Sequence, residues 1–266
     1  MIRSIYTASS GMRNHQVRMD VIANNISNVN TTGFKSGRVN FAEMLSQSYL
    51  SNAYTQVSGN TQNSSQIGLG VSVSAINNNF SQGDLQTTGR VLDVAIAGEG
   101  FFMVTPSSDS IQDDNIYYTR DGDFYINKDG YLVNSSGQFV LDDQKQVITI
   151  SDPATAISSL SIDTDGNVKV NGQQTAKIGV AVFNNPEVLA KMGGNLYKNP
   201  DPANITPVLN PAGEIYKIDS GTLEMSNTDL TTEFSNMIMT QRGYQANARV
   251  ITTSDQMLGE LVDLKR

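Results

Sequence analysis

Apolar residues near both ends of this chain recur at alternating spacings of three and four. From Ile5 the row steps to Met12, Met19 and Ile26, interleaved with Ala8, His15, Ile22 and Val29. Such spacing keeps a narrow stripe turned toward a partner along the whole length of a helix. Leu230, Phe234, Met237, Gln241, Tyr244, Ala248, Ile251, Asp255, Leu258 and Val262 repeat the pattern at the other end. The chain between them must bring two helices back together along a shared seam.

The first helix is predicted over Ile2 to Val29. Asn30-Thr31-Thr32-Gly33 then supplies β-branched residues and a glycine suited to the left-handed turn that closes a helix. The second is predicted from Leu230 to about Leu264. Side-chain oxygens of Asn227 to Asp229 are placed to cap it, and Glu233 lies in its first turn near the positive end of the dipole. Gln241 and Asp255 at seam positions would be costly in a dry core, so the seam is expected to be partly wet or to set register through polar pairs. Met12, Met19, Met225, Met237, Met239 and Met257 lie on or beside the helices, where their flexible side chains tolerate imperfect register.

Between the helices the pattern changes twice. Residues 36–70 are rich in Ser, Asn, Gln and Gly and read as a polar connector without regular structure of its own. From Val71 the period becomes two, and Val91 to Ala97 and Phe101 to Val104 read as buried strands broken at Gly98 and Gly100. Turn signals follow at Asp121-Gly122, Asp129-Gly130, Ser136-Gly137, Asp165-Gly166 and Asn171-Gly172, each flanked by strand formers. Ile178 to Phe183 is a further strand, and Pro200, Pro202, Pro207 and Pro211 mark irregular chain beyond it. The fold class is therefore α+β: N- and C-terminal helices pairing as a coiled coil, around a central antiparallel, hairpin-rich all-β domain. Its predicted parts are residues 1–35 for the first helix, 36–70 for the connector, 71–224 for the β domain and 225–266 for the second helix.

Composition narrows the chemistry. The net charge of −8 argues against a nucleic-acid-binding surface, which needs clustered Lys and Arg to neutralise phosphates. No cysteine is present, which removes disulfides, thiolate catalysis and cysteine-ligated metals together. His15, the lone histidine, has no carboxylate among its helical neighbours and is read as a packing or surface residue. Asp163-Thr164-Asp165-Gly166-Asn167 resembles the opening of a calcium loop, but its glycine falls at the fourth place and no glutamate closes it, so it reads as a hairpin turn. Gly98-Glu99-Gly100 lacks the third glycine and following helix of a nucleotide loop. Asp93 and Glu99 could be drawn as paired carboxylates for glycan cleavage, although nothing in the sequence fixes their separation. No cofactor, metal or catalytic residue is assigned. No segment has the eighteen or so apolar residues of a membrane span, and Met1 to Ser10 lacks the apolar run of a secretory signal, so on this reading the chain is expected to be cytoplasmic unless it leaves the cell by a route that does not use such a signal.

Four stretches carry a family likeness. Ala23-Asn24-Asn25-Ile26-Ser27-Asn28-Val29-Asn30-Thr31-Thr32-Gly33-Phe34-Lys35 resembles the N-terminal signature of bacterial flagellar rod and hook proteins. Ser81 to Leu85 with Leu92 to Phe102, Tyr118 to Phe124, and Met237 to Asn247 (including Gln241 and Arg242) continuing through Thr253 to Leu258 extend the resemblance over nearly the whole chain. Length and the segment Gln66 to Val71 most resemble the distal-rod members, with hook or proximal-rod members as the alternative. Gly243 departs from the pattern, since many relatives carry alanine before the tyrosine; glycine lowers helix propensity by about 1 kcal/mol and is expected to mark a bend.

The resemblance implies a structural, non-enzymatic subunit of the basal body outside the cytoplasmic membrane, in the periplasm or cell wall. Such a subunit leaves the cell unfolded through the flagellar export apparatus without a cleaved signal peptide. It then polymerises as a helical homo-oligomer with other rod and hook proteins into the shaft that carries torque to the hook. A secreted β-rich glycan hydrolase or an adhesin is the alternative of another class. The residues expected at the subunit or coiled-coil interface are Ile5, Met12, Met19, Ile22, Ile26, Val29, Leu230, Phe234, Met237, Tyr244, Ile251, Leu258 and Val262.

Overall fold

A computed structural model of the chain describes residues 2–48, 66–107, 115–150, 160–211 and 216–264. Two compact units emerge: residues 1–27, 37–78 and 229–266 form the first, and residues 28–36 with 79–228 form the second.

The first unit contains helix α1 (Ile2–Ser27), helix α2 (Leu230–Asp263) and the strands β1 (Gly37–Glu43), β2 (Ser46–Ser48), β3 (Gln66–Gly68) and β4 (Val71–Asn78). Asp229 caps α2, its carboxylate accepting the Thr231 N–H at 2.9 Å and the Thr232 hydroxyl at 2.7 Å, which holds its carboxyl below the usual carboxylate range. β1 pairs antiparallel with β4 through a bulge at Asn40/Phe41, and β2 pairs with β3. The polar stretch 36–70 is thus not simply extended connector. Val39 and Phe41 alternate with polar residues and are half-buried, enough to set a strand where average composition pointed to none. The rest of that stretch, residues 49–65, lies outside the described residues. β4 also belongs with the helices, although its period-two pattern by itself predicts the start of the β domain.

The second unit is β-rich. Its strands are β5 (Leu85–Thr87), β6 (Val94–Gly98), β7 (Phe101–Thr105), β8 (Tyr117–Thr119), β9 (Phe124–Ile126), β10 (Leu132–Asn134), β11 (Phe139–Val140), β12 (Leu160–Ile162), β13 (Asn167–Val170), β14 (Gln173–Lys177), β15 (Val180–Val182), β16 (Ala190–Gly193), β17 (Leu196–Lys198), β18 (Val208–Leu209), β19 (Tyr216–Ser220) and β20 (Thr222–Glu224). The largest sheet runs β16-β17-β8-β7-β11-β10-β9, with β15 also on β7; all of its pairings are antiparallel.

β7 is the spine, buried along its whole length. Successive side chains of a strand point to opposite faces, so Phe102 and Val104 join one apolar cluster with Val94, Ile96 and Ile178, while Phe101 and Met103 join a second with Tyr118, Leu141 and Tyr197. Four of the expected turns connect neighbouring strands, with positive φ at Gly130, Gly137, Gly166 and Gly172. Asp121-Gly122 does not: β8 and β9 are not paired with each other. Gly122 is instead a place of close approach, where a Cβ would run into the Val94 carbonyl.

Candidate assembly surface and motif cluster

In the first unit α1 and α2 run antiparallel in contact. The Ser4 and Ser254 hydroxyls meet at 3.3 Å, Arg18 donates to the Asn236 amide oxygen at 3.4 Å, and the Asn25 amide donates to Glu233 at 3.0 Å. Two glycines admit bulk from the opposite helix. A Cβ on Gly11 would lie 2.9 Å from the Asn247 amide, and one on Gly243 would lie 2.7 Å from the His15 imidazole. α2 continues through Gly243 without interruption; the glycine makes room for a ring where a bend was expected.

These contacts place the helix–helix seam one residue away from much of the predicted stripe. Ser4, Gly11, Arg18 and Asn25 make the cross-helix contacts, each one position before Ile5, Met12, Met19 and Ile26, which are half-buried. Of the interleaved row, Ala8 and Ile22 are buried and His15 is in contact. Val29 lies past the end of α1, in the turn that follows it. On α2 the contacts run through Glu233, Asn236, Gly243, Asn247 and Ser254, and Thr240 is buried between them. Met237, Ala248, Ile251 and Leu258 are half-buried, whereas Leu230, Phe234, Tyr244 and Val262 are exposed, as are Gln241 and Arg242. Small and polar residues let the helix backbones approach. The bulky apolar residues are left flanking the contact or facing outward.

The result is a unit with little core. Among its described residues the buried apolar side chains are Ala8 and Ile22. Its exposed ones include Tyr6, Leu45, Phe234, Ile238, Met239 and Val262. Of the motif residues on α1, Asn24 is exposed and Asn25 buried. The Asn25 side chain donates to Gly37 O and accepts from Gly37 N, both at 2.9 Å, which pins the start of β1 to the end of α1. His15 packs edge-on to Phe41 of β1, and Arg18 lies 6.0 Å from the centre of the same ring. Burial, with the Arg18 charge adding to it, lowers the His15 pKa from its ordinary value.

The second unit holds a buried charge cluster that sequence reasoning missed. Lys35, Glu224 and Arg120 are 0%, 1% and 3% exposed. Lys35 Nζ donates to Glu224 Oε1 at 2.6 Å and to the Ser81 carbonyl at 2.7 Å, and the Gly83 N–H reaches the same carboxylate oxygen at 2.9 Å. Arg120 Nη1 donates to Glu224 Oε2 at 3.1 Å, while Nη2 donates to Gly98 O at 2.9 Å. Burial pulls both cations below their usual pKa and the Glu224 charge opposes it. Beside them Tyr197 is fully buried, and burial pushes its phenol up to about 12 against the pull of Arg120.

The motif after α1 is built around this cluster. Gly33, at φ +65°, donates its N–H to the Glu224 carbonyl at 2.8 Å, and a Cβ there would lie 2.6 Å from Asp121 N. Phe34 is buried with Lys191 Nζ 4.4 Å from its ring centre, Thr32 donates to Asp121 at 2.9 Å, and half-buried Asn28 accepts from Thr31 at 3.2 Å. The sequence did carry a signal: a lone glutamate between Leu223 and Met225, and a lysine directly after Phe34. Asp93 is held by Arg90 at 3.0 Å and by the Thr88 hydroxyl at 2.6 Å. Among the described residues no group of His, Asp and Glu is arranged to hold a metal ion.

Comparison with known proteins gives three family models in chain order. One described as flagella basal body rod protein matches residues 5–35, one described as flagellar hook protein FlgE/F/G D1 domain matches 95–170, and one described as flagellar basal body rod FlgEFG protein C-terminal matches 219–264. Flagellar basal-body rod protein FlgG of Bacillus subtilis is 42% identical, with 100% of both chains covered. The chain belongs to the flagellar rod and hook protein family. FlgG of Borreliella burgdorferi is 38% identical with 100% of both chains covered, and the same organism's flagellar hook protein FlgE is 27% identical with 100% of both covered. Each matched region of this rod and hook family member supplies one member of the buried cluster: Lys35, Arg120 and Glu224. No helix among the described residues is long and apolar enough to cross a membrane.

Proposed function

We propose that this chain is a structural subunit of the flagellar basal-body rod, at its distal part, and that it works by polymerising with copies of itself. The carrying observation is the first unit, whose helices keep a bulky apolar surface exposed while their mutual contact is made by small and polar residues. Helices with so little core are marginal alone, and contact with neighbouring copies would bury their stripes, so ordering and assembly proceed together. In the polymer the predicted stripes of α1 and α2 complete a coiled-coil packing within and between subunits. Contacts of the head-to-tail kind that do not close give a helical filament rather than a ring, which is the form a torque-carrying shaft requires. The neighbours along the axis are other rod and hook proteins. The subunit reaches its place in the basal body, in the periplasm or cell wall, through the flagellar export apparatus.

Full-length family relatives named as basal-body rod proteins support this reading. Sedimentation and electron microscopy of the purified chain test it. Helical rods are expected from the full chain. Deleting Ile2 to Val29 should leave the β unit folded by circular dichroism and unable to polymerise; a deleted chain that still forms rods removes α1 from the mechanism.

A further inference from the structure

The Glu224 cluster joins parts of the chain that are far apart in sequence, and the last part to be made supplies its lone anion. Until that segment docks, Lys35 and Arg120 lack the one carboxylate that bonds both of them, and only the longer-range charge of Glu99 on Arg120 offsets two neighbouring cations, an unfavourable arrangement once the site closes. A second, independent feature has the same polarity. Val94, Ala95 and Ile96 are fully buried in β6, and the ladder partner of β6 is β19, with register Val94↔Ser220 to Gly98↔Tyr216. β5 likewise takes its partner from β20, and Met225 N–H reaches Asp84 O at 2.8 Å. The backbone groups of β6 and the charges of the motif are therefore satisfied together, by residues 216–225.

We propose that Glu224 is a completion latch, whose docking between Lys35 and Arg120 is the step that fixes the tertiary structure of the β unit. A chain delivered from its N-terminus then stays without fixed β structure until about residue 224 has emerged. On the rod reading above, this keeps the chain threadable during export, but the latch itself is a property of folding and is tested as such.

The test uses the full chain and reads near-ultraviolet circular dichroism of its tyrosines, protease resistance of the β unit, and stopped-flow refolding and unfolding. Glu224→Gln removes the anion at constant shape and is expected to abolish protease resistance of the β unit. Adding Lys35→Met to Glu224→Gln should restore part of it, by removing one uncompensated cation. Glu224→Asp keeps the charge on a shorter arm; a contact formed at the rate-limiting step predicts refolding slowed about tenfold with unfolding changed by less than about twofold. A Glu224→Gln chain with wild-type resistance and refolding rate overturns the latch. So does a Glu224→Asp chain whose entire change lies in the unfolding rate, because the contact then forms after the fold is already fixed. Rod formation by the wild-type chain is scored separately, so failure of the assembly reading leaves a different signature from failure of the latch.

Discussion

Gly243 shows what a single hydrogen in place of a methyl group decides. In an exposed helix Gly→Ala gains about 1 kcal/mol from helix propensity, but here the added Cβ would meet the His15 ring at 2.7 Å, and that ring is also against Phe41. Gly243→Ala is therefore expected to destabilise the first unit in the wild-type background and to stabilise it by up to about 1 kcal/mol when His15→Ala has opened the space. Urea unfolding followed by helical circular dichroism reads the cycle; the same sign in both backgrounds would dissolve the proposed pairing. His15 also sets a pH dependence. Its folded pKa lies below the ordinary 6.5, first through burial and then through Arg18, so the unfolded chain takes up the proton first. The stability tied to neutral His15 is complete above pH 6.5 and is lost as pH falls from there through the lower folded pKa. Helix melting should drop between pH 7.5 and 5.5 in the wild type and flatten in His15→Gln; an unchanged slope would assign the effect elsewhere. The spacing of His15 on the helix was legible in the sequence. Its partner was not, because Gly243 lies on the other helix and which residues face each other depends on how the helices cross.

Among the elements, α1 and β1 are joined through Asn25, whose side chain closes both backbone groups of Gly37 and reaches Glu233. Asn25→Ala leaves the half-buried Gly37 groups without those partners, at a cost of about 1 kcal/mol. Hydrogen exchange should show the Gly37 amide and the start of β1 losing protection while the strands of the second unit keep theirs; equal loss in both units would mean Asn25 acts on more than this junction. The existence of both helices and of most hairpins followed from period and turn chemistry, which are local. β1 and β2 were not legible, because their strand character comes from pairing with β4 and β3 across a polar stretch whose composition speaks for loop. The same limit hid the meaning of Asp121-Gly122: dipeptide chemistry suggests a hairpin, and only the packing of Val94 against Gly122 makes it a crossing point.

For the molecule as a whole, the division of labour between its units has a direct test. Phe234 and Val262 are 50% and 67% exposed, so Phe234→Ser with Val262→Ser should leave monomer stability within about 0.5 kcal/mol. Polymerisation, read by sedimentation, should require a higher protein concentration. Unchanged assembly would move the contact surface off this face of α2. What the sequence by itself determined is periodic: two helices whose stripes exceed the needs of one chain, a β-rich middle with its turns, and a run of motif residues that resembles one family over nearly its whole length. The tertiary structure decided which side of each stripe is used within the chain. Backbones approach where Ser4, Gly11, Gly243 and Ser254 are small, and this turns the seam one residue away from the bulky row. It also decided what Lys35, Arg120 and Glu224 are for. Their meaning lies in a buried meeting at 2.6 and 3.1 Å between segments 189 and 104 residues apart, and no local period records a contact of that kind.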